Sequence, residues 1–168
     1  MPVIFAIQAL NRSCNPMAGV VVEIWHTNCE GFYSADNSQS SSNDPFQGPY
    51  CANYNARAQA SRWHRGAQIT NGDGVAYFKS CFPGWYSGRT NHIHLAFIDN
   101  GRRALATQLS FEDALCNEIH INHPEYIGRR QDTSGTGDIV FGQQHSIFKM
   151  QTSHNPDGSM LAYKSVIL

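Results

Sequence analysis

Short apolar runs divided by turn chemistry, with little helical period between them, confine this chain to an antiparallel all-β architecture. The runs read as strands over residues 3–10, 20–26, 66–70, 75–80, 92–98, 105–110, 146–152 and 161–167. Three turns are explicit: Asn71-Gly72-Asp73-Gly74, Asp99-Asn100-Gly101 and Asn155-Pro156-Asp157-Gly158 supply the residues that hairpin reversals need. The strands flanking each turn are therefore expected to pair. One short peripheral helix fits 111–120, with Ser110 as N-cap, Glu112 and Asp113 in its first turn, and Ala114, Leu115 and Ile119 on its apolar face. The fold expected is an antiparallel β-sandwich with two long irregular segments, 35–60 and 128–144. Loops of that length in a compact domain serve a site or are disordered.

Residues 1–168 read as a single domain, large enough to bury roughly 70% of its unfolded surface without staples. A formal charge of −1 and scattered basic residues leave no electrostatic footprint for nucleic acid or an anionic membrane, so both are excluded as partners. No apolar run approaches the roughly 18 residues of a transmembrane helix. The first ten residues also lack the charged start and cleavage site of a signal peptide. Cys14, Cys29, Cys51, Cys81 and Cys116 contain no Cys-x-x-Cys spacing, so neither a zinc knuckle nor a thioredoxin-like pair is indicated. One or two disulfides would suit an exported protein, which favours export over the cytoplasm.

The densest chemistry lies in Pro83-Gly84-Trp85-Tyr86-Ser87-Gly88-Arg89-Thr90-Asn91-His92-Ile93-His94. On a strand, the two-residue period sends His92 and His94 to one face and Ile93, Leu95 and Phe97 to the other. Two imidazoles then converge. Upstream, an apolar run through Trp25 and His26 ends in the turn Gly31-Phe32-Tyr33.

From these motifs the chain resembles the intradiol ring-cleavage dioxygenases, non-haem iron(III) enzymes that open catechols between their two hydroxyls. The resemblance runs from about residue 16 to 111, and more loosely to 168. It implies four metal ligands: Tyr33 from the Gly-x-Tyr turn, Tyr86 from the Pro-Gly-x-Tyr turn, and His92 and His94. Arg89, three residues before the first histidine, and Gln108, in the next strand, match the family's arginine and glutamine. Arg89 would stabilise charge on the activated ring and Gln108 would orient it, while Tyr86 would leave the metal and collect a substrate proton. The implied cofactor is one non-haem Fe(III) per chain, and the implied partners are a small aromatic diol and O2. The product would be a muconate-type diacid.

The ligand chemistry agrees with that implication. Neutral imidazoles suit many metals, but two phenolates add negative charge and hard oxygen donors, which favours Fe(III) over Fe(II) or Zn(II). Pocket loops separate the branches of the family. Beyond Arg57 and Arg62 no cation stands where a substrate carboxylate would need one, so simple catechols, including hydroxyquinol, are the expected substrates. Larger members carry a helical N-terminal portion used for dimerisation, and that interface is not carried over. Two other classes fit parts of the pattern. A cupin-like Fe(II) or Zn(II) site would add a downstream carboxylate, for which Asp99 and Glu112 are nearest. A catalytically silent sandwich would bind phenolic or carbohydrate ligands. Trp25 and Trp85 read as packing residues, His26 and His64 as structural, and His120 and His123 as surface residues.

Overall fold

The computed structural model describes residues 1–34, 56–126 and 128–168. Most of the long segment 35–60, and Cys51 with it, lies outside the described residues. The strands are β1 (Pro2–Leu10), β2 (Val21–Trp25), β3 (Arg65–Ile69), β4 (Val75–Cys81), β5 (His92–Asp99), β6 (Arg102–Ser110), β7 (Gln151–His154) and β8 (Met160–Ile167). They form two four-stranded sheets, ordered β4-β1-β8-β7 and β3-β2-β5-β6. This is the expected sandwich. Its inner faces meet through Val3, Phe5 and Ile7 of β1, Val22 and Ile24 of β2, Ile93, Leu95 and Phe97 of β5, and Met160 and Ala162 of β8, all buried. Among the described residues one strand pair, β1 with β8, is parallel.

The turns at 99–101 and 155–158 join paired strands, as their composition requires. The turn at 71–74 forms as well, with Asn71 Oδ1 accepting from the amides of Asp73 and Val75. Its flanking strands do not pair: β3 lies against β2 and β4 against β1, in different sheets. Gly74 explains the divergence. At φ +72° its backbone lies so close to Ala9 that a Cβ would stand 2.7 Å from the Ala9 carbonyl oxygen. The Ala9 amide donates to the Gly74 carbonyl at 2.8 Å, steering the chain onto β1. Turn chemistry fixes a reversal, and packing chooses the partner.

Three other expectations are corrected. The helix α2 spans Asp113–Asn122, after a short α1 (Ala56–Gln59), and its N-cap residue is Glu112, with no side-chain cap hydrogen bond. Ser110 instead ends β6 with its hydroxyl buried and unpaired. The buried face carries Cys116, Ile119 and His120, and Ala114 is exposed. The strand expected at 146–152 begins with α3 (His145–Phe148), and only its end enters β7. Phe148 packs on Phe141 with ring centroids 5.3 Å apart, and the His145 ring fills the space where a side chain on Gly135 would lie. Those contacts decide between helix and strand for a short apolar run that periodicity leaves open. Cys14, Cys29, Cys81 and Cys116 are free thiols, so none of the disulfides that favoured export joins them.

Candidate metal centre

On β5 the alternation is as expected: Ile93, Leu95 and Phe97 fill the sandwich, while His92 and His94 face the outside of the β3-β2-β5-β6 sheet. Register sets their neighbours. Trp25 of β2 and Gln108 of β6 both lie opposite His94, so the three share a row across that outer face. The Trp25 indole stacks on the His94 ring, centroids 4.9 Å apart and planes 8° from parallel. Trp25 thus packs against the site itself.

Two glycines bring the tyrosines to the histidines. Gly31, at φ +87°, lies so close to Trp85 that a Cβ would stand 2.1 Å from its carbonyl oxygen. A Cβ on Gly84 would meet the carbonyl oxygens of Asn28 and Cys29 at 2.5 Å. The loops carrying Tyr33 and Tyr86 can therefore pass backbone against backbone, fastened by the Gly84 amide donating to the Asn28 carbonyl at 2.9 Å. The tyrosine rings meet edge to face at 5.8 Å.

Four donor atoms converge. Tyr33 Oη lies 3.1 Å from His92 Nε2 and 2.9 Å from His94 Nε2, and Tyr86 Oη lies 3.3 Å from His92 Nε2. Ligand atoms held at roughly 2.0–2.1 Å from one ion, about 90–109° apart, are separated by about 2.8–3.4 Å. These three separations suit donors arranged around a single transition-metal ion. His92 Nδ1 donates to the Thr90 carbonyl at 2.7 Å, which leaves the lone pair on Nε2, aimed at the tyrosines. Burial, reinforced by the Arg89 charge, lowers the His92 pKa to about 3. Burial also holds His94 well below the ordinary value, with His92, Arg89 and Arg65 adding to the effect. Both rings are thus neutral donors at neutral pH. Tyr33 is buried and touches both imidazoles, whereas Tyr86 is half-buried and stands within hydrogen-bonding distance of His92.

Arg89 and Gln108 lie beside this set. Arg89 Nη2 donates to Gln108 Oε1 at 2.6 Å and Nη1 to the Tyr86 hydroxyl at 3.4 Å. Among the described residues no third His, Cys, Asp or Glu joins the two imidazoles in a metal-sized cluster. Asp99 lies in the turn region paired with Arg102, and Glu112 forms an ion pair with Lys149, so neither serves the His-x-His pair.

The sequence model of the family described as Dioxygenase matches residues 1–137. The chain belongs to the intradiol ring-cleavage dioxygenase family. This family member is 30% identical over 115 residues to catechol 1,2-dioxygenase 1 of Acinetobacter lwoffii, covering 58% of the chain and 32% of that protein. It thus spans about a third of the length of that curated relative. Its fold is similar to that of an intradiol ring-cleavage dioxygenase from Tetranychus urticae, with TM-score 0.80, 23% identity, and coverage of 99% of this chain and 80% of that one. It is also similar to the dioxygenase domain of a dioxygenase carbohydrate-binding protein fusion from Streptomyces sp. SirexAA-E, with TM-score 0.64, 22% identity, and coverage of 99% and 79%.

Several residues around the centre carried no signal in the sequence. Asp138, with its side chain wholly buried, receives the third Arg89 donor, and Phe141 lies edge-on to His92 at 6.4 Å. Asp132 accepts from Ser87 Oγ and the Gly88 amide, and Gln131 Oε1 accepts from the Asn91 amide. The segment 128–144 therefore serves the site as a strap over the turn 86–91. His120, expected at the surface, is fully buried, with Nε2 3.1 Å from the Pro83 carbonyl oxygen. It lies behind the Pro-Gly turn because it belongs to the buried face of α2 with Cys116 and Ile119. His123 is partly exposed, as expected. His26 is buried between the Thr27 carbonyl and the Ser80 hydroxyl, a structural role. Among the described residues no helix is long and apolar enough to cross a membrane.

Proposed function

We propose that this protein is an intradiol dioxygenase that binds one non-haem Fe(III) through Tyr33, Tyr86, His92 and His94 and cleaves a catechol-type ring with O2 to a muconate-type diacid. The observation that carries the reading is the meeting of two phenol oxygens and two imidazole Nε2 atoms at 2.9–3.3 Å. The donor set, with two potential phenolates, favours a trivalent ion, and the bound iron would chelate the diol and make its ring electron-rich toward O2.

The chain's own residues divide the remaining work. Tyr33 and the two histidines are the embedded donors: Tyr33 touches both rings, Thr90 fixes one and Trp25 braces the other. Tyr86, half-buried, is the donor best placed to yield and to accept a proton on Oη from a substrate hydroxyl. Arg89 sets a permanent positive charge 3.4 Å from that oxygen, where negative charge on the substrate is stabilised. Gln108, held by Arg89, orients the ring from the neighbouring strand. The proposed substrates are unsubstituted or simply substituted catechols, including hydroxyquinol, taken with O2 as the only other small-molecule partner.

The test is the visible spectrum of protein purified in air with iron supplied, before and after anaerobic addition of catechol, followed by oxygen uptake. A broad tyrosinate-to-iron(III) band that moves to longer wavelength with catechol, and catechol-dependent uptake, is the expected result. Stoichiometric zinc in a colourless protein, or bound iron without uptake, would overturn it.

A further inference from the structure

Arg89 is the cation that touches Tyr86, and its aim depends on a residue outside every recognised motif. Two of its donors face the centre, toward Gln108 and Tyr86. The third, Nε, points the other way and donates to Asp138 Oδ2 at 2.8 Å. That oxygen also accepts from the Thr90 amide at 2.8 Å, while Oδ1 accepts from the amides of Val140 at 2.8 Å and Phe141 at 3.3 Å. The Asp138 side chain has no exposed surface, so among the described residues these four donors are what satisfies it.

The carboxylate is thus fixed by the backbone on both sides, and through it the arginine. A guanidinium is planar, so anchoring Nε sets the directions of Nη1 and Nη2 together. Phe141, whose amide Asp138 holds, lies edge-on to His92 and 6.0 Å from the guanidinium carbon, so the same anchor seats the ring beside the ligand. A buried ion pair is weak evidence for stability, because desolvation of both charges offsets their attraction. Its worth here lies in direction.

We propose that Asp138 is the positioning residue that orients Arg89 toward Tyr86 and Gln108, and so controls the rate of ring cleavage without touching substrate or metal. This inference rests on the ring-cleavage reading above. Asp138→Asn is the informative variant. Its Oδ1 still accepts from Val140 and Phe141, but its Nδ2 faces two donors, Arg89 Nε and the Thr90 amide.

The expected result for iron-loaded full-length protein is unchanged iron content and visible band, KM within about threefold of the parent, and kcat lower by about tenfold to a hundredfold. The Arg89→Gln, Asp138→Asn double variant should lose no more than Arg89→Gln alone, because the two residues act as one unit. A kcat within about twofold of the parent, or losses that multiply in the double variant, would overturn the proposal.

A second measurement does not need turnover. In the metal-free full chain, the Arg89 Nε–H signal in nitrogen-15 NMR should exchange slowly with water and become fast in Asp138→Asn. An unchanged signal would refute the positioning role. Absence of catechol-dependent oxygen uptake by the parent would instead refute the ring-cleavage reading, so the two failures are distinguishable.

Discussion

The two faces of β5 carry opposite kinds of chemistry within eight residues. Inward, Ile93, Leu95 and Phe97 are fully buried among other apolar side chains, where shape and volume matter and direction hardly does. Outward, His92 and His94 are useful because each is aimed: one by the Thr90 carbonyl, the other by the Trp25 ring. The inner face holds the fold together by burial, and the outer face depends on fastenings from other segments. Substitutions on the two faces should therefore separate loss of stability from loss of the site.

The largest effect on stability is expected from the inner face. Leu95→Ala removes a fully buried side chain and should cost about 2–5 kcal/mol in urea unfolding, with any surviving folded protein still binding iron. A loss below about 1 kcal/mol would mean that the core collapses onto the gap and that the contrast between faces is weaker than described. Next comes Gly31→Ala, at the contact between the two tyrosine loops. A Cβ there stands 2.1 Å from the Trp85 carbonyl oxygen at a φ of +87°, so the loops must separate. The expected cost is about 2–3 kcal/mol, from left-handed backbone and forced displacement. Because the displaced residues carry Tyr33 and Tyr86, the iron charge-transfer band should be lost as well. Retention of a parent-like band would show that the loops need no such close approach.

This contrast also explains what was legible in the sequence. Inner-face strands announce themselves by period and the His92-x-His94 pair by its alternation, so the sandwich and the paired imidazoles could be named from residues alone, whereas Tyr33 and Tyr86 were joined to them only through the resemblance of their compact motifs to the intradiol family. Arg89 and Gln108 were reachable through the same resemblance, one near the histidines and one on the adjoining strand. Asp138 was not, because it lies 49 positions from Arg89 in a segment with no period, and an aspartate among Gly, Ser and Thr reads as solvated loop. The turn at 71–74 reveals the other limit. Its local chemistry specifies a reversal, while the pairing of β3 and β4 with different strands is decided by contacts such as Gly74 with Ala9. The role of Trp25 in bracing His94 depends likewise on cross-strand register, which local residue type does not encode.

An effect smaller for each pH unit should follow from pH, read on a histidine that belongs to the structural side of the comparison. His26 is buried, and burial, with His64 adding to it, lowers its pKa from 6.5 to about 3. Below pH 6.5 the unfolded chain takes up a proton that the native protein refuses until about pH 3, so the unfolded state binds more protons and stability falls as pH falls through that window. His26 alone should account for close to tenfold in the folding equilibrium, about 1.4 kcal/mol, for each pH unit well inside the window. Urea unfolding of metal-free protein across the window should give His26→Gln a slope shallower by one proton. Equal slopes would mean that His26 is already protonated in the native state.

The smallest effect on stability is expected at Tyr86, and there the outer face should show its character most clearly. Tyr86→Phe deletes one oxygen from a half-buried ring whose polar neighbours, His92 Nε2 and Arg89 Nη1, lie 3.3 and 3.4 Å away. Arg89 keeps its shorter bonds to Gln108 and Asp138, so the contacts among the described residues leave little of the fold to depend on that oxygen. Thermal unfolding of the metal-free variant should differ from the parent by no more than about 0.5 kcal/mol. With iron bound, one of the two proposed tyrosinates is gone: the visible band should weaken or shift in colour, and catechol turnover should drop, because the proton acceptor proposed on Oη is missing. A parent-like spectrum and rate would remove Tyr86 from the ligand set and leave Tyr33 as the sole tyrosinate. A large loss of stability would instead place Tyr86 with the inner-face residues, as a packing aromatic that happens to lie near the candidate metal centre.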